Sequence, residues 1–165
     1  MSTKKLVFRL IICAFLIPIF IVPFIKIFSL ETNLGVIEKY GMFANYNEVP
    51  FVTIGGSLNA IWFVANNIFI ILLFVAAIVY IVLFILDVAN IEIINSDKII
   101  KYLGMFILTV SILAVLSGLI GTLTNQQTST VTDTIFAKMS GEPGYYLQYF
   151  PIVSGILAVI PLHEE

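Results

Sequence analysis

The sequence predicts an all-α integral membrane protein, with four antiparallel transmembrane helices and two outer loops in a single domain over residues 1–165. Three observations lead there. Four apolar stretches, at about 6–27, 58–86, 102–123 and 147–162, carry no ionisable residue in their central turns. Roughly 20 apolar residues at 1.5 Å rise cross a ~30 Å hydrocarbon core. The composition is 60% hydrophobic and only 11% charged, with a mean hydropathy of +1.08, whereas a soluble domain carries about 25% charged residues. Finally, the four spans and their connections use nearly the whole chain, so no separate soluble domain fits.

The first stretch follows Lys4 and Lys5 and includes Arg9 near its start. Such flanks also open signal peptides, but the run is too long for a signal core and no small-x-small cleavage site follows, so a retained first helix is expected. Leu10-Ile11-Ile12-Cys13 lacks the small residue that a lipoprotein box needs before its cysteine. Pro18 and Pro23 each remove a backbone donor and crowd the preceding turn, which predicts a bend near mid-membrane. Lys26 stands at the far end, where its stem reaches the headgroups.

Residues 28–57 form the longer outer loop. Leu34, Val36, Ile37, Tyr40 and Phe43 suggest a short interfacial helix, and 50–54 suggests a brief strand with Pro50 at its first position. The second stretch is ~43 Å long as a helix, so its first turns, with Asn59, Trp62, Asn66 and Asn67, are expected in the headgroup zone. Asp87 ends it, and 88–100 form a compact connection carrying Glu92, Asp97 and Lys98.

The third stretch places Gly104, Ser111, Ala114, Gly118 and Gly121 along one face, letting a neighbouring backbone approach closely. These five are the expected helix-packing residues. The second outer loop, 122–145, is rich in Thr, Gln and Ser and ends in a turn signal at Gly141-Glu142-Pro143-Gly144. The last stretch opens with Tyr145, Tyr146 and Tyr149 as an aromatic girdle and ends at Pro161.

Orientation follows from the basic residues. Lys4, Lys5, Arg9, Lys98 and Lys101 lie on one side, against Lys26, Lys39 and Lys138 on the other, which puts both termini in the cytoplasm or its topological equivalent. No Asn-x-Ser/Thr sequon falls in either outer loop. No internal repeat is visible, so an inverted-repeat transporter is unsupported.

Chemistry is sparse. The net charge is −2 with scattered charges, giving no nucleic-acid or polybasic lipid patch. Cys13, the only cysteine, excludes an intramolecular disulfide and reads as packing. His163, the only histidine, sits beside Glu164 and Glu165 at the chain end. No catalytic, metal or cofactor site is therefore expected, and no cofactor. Ser111, Ser117 and Ser154 have no base at helical spacing, so they read as back-bonding residues rather than nucleophiles. Asn59, Asn66 and Asn67 are the most suggestive polar set: a polar vestibule or quinone site on one reading, interhelical hydrogen bonding on the favoured one. Asp87, Glu92, Asp97, Lys98 and Lys101 read equally as a docking patch or a solvated loop.

Four spans with a longer first outer loop are similar in outline to claudin-type membrane proteins. The paired loop cysteines and tryptophan-rich motif of that family are absent here, so the likeness is one of topology. The leading expectation is a non-catalytic subunit of a larger membrane complex, with lipid and other membrane subunits as partners. A claudin-like adhesion or barrier protein, and a small channel or carrier, are the alternatives.

Overall fold

The computed structural model describes residues 3–32, 37–41, 57–89, 91, 96–124 and 137–160. The fold is predominantly helical. Three helical segments, Thr3–Phe24, Ile61–Val88 and Asp97–Thr124, are long and apolar enough to cross a membrane.

The first segment is not one α-helix. α1 (Thr3–Leu16) gives way to two short 3₁₀ turns, Ile17–Phe20 and Val22–Phe24, each with a proline at its opening. Pro18 has no N–H to reach back four residues and its ring crowds that carbonyl, so the ladder tightens to three-residue bonds. Ile21 N donates to Pro18 O at 3.0 Å and Phe24 N to Ile21 O at 2.9 Å. The expected bend is thus a change of helix type, and Lys26 begins a strand instead of ending a helix.

The other two segments match expectation in kind; the second is slightly longer, and the third starts six residues early, taking in Asp97 and Lys98, which were expected in the 88–100 connection. α2 (Ser57–Val88) has 32 residues and α3 (Ser96–Thr124) has 29. They pack as an antiparallel hairpin, with the Phe63 ring against Gly121 near one end.

The stretch expected as a single helix at 147–162 is broken in two. α4 (Pro143–Leu147) and α5 (Phe150–Val159) flank a turn at Gln148 and Tyr149. Pro151, at the first turn of α5, cannot supply the amide that would fuse them. At 10 residues, α5 is ~15 Å long and too short to cross by itself. Residues 161–165 lie outside the described residues.

A small antiparallel sheet caps one end of the bundle: β1 (Lys26–Thr32), β2 (Ile37–Gly41) and β3 (Ala137–Gly141), in the order β2-β1-β3. Phe28 pairs with Tyr40 on one side and with Gly141 on the other, and a bulge interrupts the β1–β2 register between Lys26 and Phe28. The interfacial helix expected around residues 34–43 is therefore corrected at Ile37–Gly41, which form β2. Apolar residues spaced by three and four in so short a segment fit either period, and pairing along β1 decides the matter. The strand expected at 50–54 lies outside the described residues.

Helix packing places a continuous core between the elements, with Ile12, Leu16, Ile19, Ile70, Leu73, Ala77, Tyr80, Ile107 and Ala114 almost fully buried. α4 and α5 descend α3 in strict antiparallel step. Gly118 faces Tyr145, Leu108 faces Gly155, and Gly104 faces Ala158. The pair so covers ~21 Å of α3 despite its break. A Cβ on Gly155 would stand 2.7 Å from the backbone of Leu108, closer than side chains tolerate. Gly155→Val should force α5 off α3 and cost about 1–3 kcal/mol, read as a lower thermal midpoint in detergent; Thr109→Ala on the exposed face should leave that midpoint unchanged.

Candidate functional site: buried polar contacts between the helices

In a low-dielectric interior each polar group needs a partner, and the partners chosen reveal what the group is for. α2 brings Asn66 to the centre of the bundle, where it is 0% exposed. Its Nδ2 donates to Ala114 O on α3 at 2.7 Å and to Gln148 Oε1 at the α4–α5 turn at 2.8 Å. Ser117 Oγ donates to the same Ala114 carbonyl at 2.9 Å. Gln148, also fully buried, reaches back to Gly144 O at 3.5 Å. One amide thereby ties α2, α3 and the broken last helix together. Asn66 Oδ1 has no hydrogen-bond partner among the described residues.

The other asparagines differ. Asn67, one residue on, is half-buried. Asn59 lies in the first turn of α2, and its side chain is outside the described residues. Asn66 is thus fully buried where its neighbour Asn67 is only partly so.

All five small residues of α3 are buried and face elements of this same chain or turn inward. Gly104 meets Ala158, Gly118 meets Tyr145 and Phe28, and Gly121 meets Phe63. Ala114 carries the carbonyl that Asn66 uses, and Ser111 Oγ donates to Ile107 O one turn back at 2.6 Å. Ser154 on α5 crosses to α1, with its Oγ donating to Ile12 O at 3.1 Å.

Tyr145 joins the bundle to the sheet. Its ring lies between Gly118 of α3 and Gly141 of β3, where added Cβ atoms would stand 2.5 and 2.7 Å from ring carbons. Its hydroxyl donates to Val115 O at 3.0 Å, and Phe28 and Phe63 extend the cluster at 5.4 and 4.8 Å between successive centroids. Only Tyr146 and Tyr149 of the expected girdle are exposed; Tyr145 is core.

At the opposite end, Arg9 is only 4% exposed. It pairs with Asp87 at the end of α2 and, at 2.8 Å, with Asp97 at the start of α3. Lys5, one turn earlier on α1, also meets Asp97 at 2.7 Å. Both carboxylates are engaged by α1, which the reading of Asp87 and Asp97 as a solvated loop or docking patch did not include. Asp87 is mostly shielded, whereas the Asp97 side chain is 68% exposed.

Gln148 and the Arg9 pairs were not singled out from the sequence. Gln148 is a lone amide just inside an apolar run, and Arg9 is the deepest charge in the first. Asp87 and Asp97 bracket a short connection at the depth where Arg9 arrives. Those were the available signals.

No protein family, curated protein or solved structure matches this chain. The reading of function rests on the geometry.

Asn66→Leu and Gln148→Leu should each cost about 1–2 kcal/mol, because each orphans the other amide. The double substitution should cost clearly less than the sum of the two, measured by unfolding in detergent as a double-mutant cycle.

Proposed function

We propose that the chain is a multi-pass integral membrane protein that acts as a non-catalytic subunit of a larger membrane complex. The observation that carries this reading is how the polar groups are used. Asn66, Gln148, Ser111, Ser117 and Ser154 are each turned inward and bonded to another helix or to their own backbone. Side chains spent in this way hold helices together and are not free to handle a solute or a reacting bond. The outward faces are the reverse. Along α2, Val64, Ile68, Ile71, Leu72, Val75, Ile78, Val79, Val82 and Ile85 are exposed, a surface suited to acyl chains.

Four crossings are part of the proposal. The antiparallel descent of α4 and α5 along α3 supports treating the broken pair as the fourth. It is held at both ends, by Tyr145 against Gly118 and by Ala158 against Gly104. The basic residues favour both termini on the cytoplasmic side. The α3 small-residue face is occupied within the chain, so partners would meet large aliphatic faces or the sheet end.

One observation favours a second reading, a claudin-like adhesion or barrier protein assembling through its outer loops. β1 pairs with β3, so the two loops leave the bundle from a single sheet. A joined platform of that kind suits contacts made outside the membrane.

Alkaline carbonate should leave the chain in the membrane pellet. Mild detergent followed by native mass measurement should give a species well above the 18.3 kDa of the chain. A stable isolated monomer would argue against the subunit reading, and bridging of opposing vesicles by the purified protein would favour the second.

A further inference from the structure

Lipid tails are as apolar as leucine, so burying Ile12 and Leu16 against other helices gains little over leaving them in the bilayer. If the helices lie in lipid, as proposed above, directional contacts decide where α1 sits. They are unevenly placed. At its N-terminal end Lys5 and Arg9 hold Asp97, and Arg9 also holds Asp87. Part-way along, Ser154 Oγ bonds Ile12 O. Past Leu16 the four-residue ladder gives way to the two proline-opened 3₁₀ turns, and the chain then enters β1, which is paired on both edges. α1 is therefore anchored at its base by the sheet, jointed at 17–24, and fastened at its tip by ions. Inside the seam that it closes against α2, Tyr80 is 1% exposed and its hydroxyl has no hydrogen-bond partner among the described residues.

We propose that α1 is a latched flap: the Lys5/Arg9–Asp87/Asp97 cluster is the fastening, the 3₁₀ segment is the hinge, and release opens the α1–α2 seam to the bilayer. Arg9 is the decisive member, because its guanidinium bridges the end of α2 and the start of α3. A second member, Lys5, also meets Asp97 and reinforces the tip. The hinge needs no bond in the sheet or in the α2–α3–α5 core to break; opening gives up the Ser154–Ile12 bond along with the ion pairs.

The test is the separation of two spin labels on the full chain in phosphatidylcholine nanodiscs, in a Cys13→Ala background. Labels at Thr3→Cys and Lys98→Cys, both exposed positions, report the flap. Labels at Ile61→Cys and Leu123→Cys, exposed on α2 and α3, report the core. With Arg9 intact the flap pair should give one narrow distance. Arg9→Gln should raise a longer-distance population by about tenfold or more, Arg9→Lys should keep the short distance, and the core pair should stay narrow throughout. Unchanged flap distances in Arg9→Gln would overturn the proposal. So would broadening of the core pair alongside the flap pair, since that would make Arg9 a general stabiliser of the fold. Carbonate extraction of the unlabelled chain checks the membrane reading separately, so loss of one does not mimic loss of the other.

Discussion

The Asn66 side chain fixes the mutual placement of three helical elements. Apolar packing in a hydrocarbon setting is permissive, because one aliphatic face substitutes for another and lipid substitutes for both. A buried amide is not permissive. Its hydrogens reach Ala114 O and Gln148 Oε1 only at one rotation and one axial shift of α2 against α3 and of the α4–α5 turn against both. Ser117 shares the same carbonyl and tightens that choice.

The glycine contacts work with this pin. Gly104, Gly118 and Gly155 let α3 meet α4 and α5 at a distance where any larger residue would push them apart. The break at Gln148 and Tyr149 is compatible with the pin because Gln148 turns inward at that point. A polar residue at a helix break usually serves backbone groups that the break has freed, and here it also reaches another helix. At the far end the same logic appears in ionic form. Arg9 is tolerable in its nearly buried position because two carboxylates from different helices converge on it.

Much of the helical architecture was legible in the sequence. The 58–86 stretch corresponds to α2 within two residues and 102–123 lies within α3, which starts six residues earlier, since long apolar runs leave few alternatives. The α3 small-residue positions were identifiable from spacing, and the structure turns that face toward α2, Tyr145 and α5. The sheet was not legible. Its strands are short, its pairing joins residues far apart in the chain, and the apolar pattern around Ile37 and Tyr40 suits a helix equally well. The 3₁₀ turns were half visible: the prolines marked the place, but not whether the chain would kink or tighten. Of the polar contacts, Asn66 stood out by residue type, while Gln148 and the Arg9 pairs depend on which helix ends meet. Tyr145 was misplaced for a related reason: three tyrosines in one turn look alike until Gly118 and Gly141 claim one of them.

The β1–β3 pairing has a consequence for biogenesis. Its two strands, Lys26–Thr32 and Ala137–Gly141, are separated by roughly 100 residues of chain that includes both long helices. During synthesis β1 emerges before β3 and must wait, with one edge unmated, until residues 137–141 have been made. At a translation pace of ~5–20 residues per second that interval lasts roughly 5–20 s. A strand left open so long is vulnerable to a wrong partner, so the growing chain has reason to be shielded at that edge until its own late strand arrives.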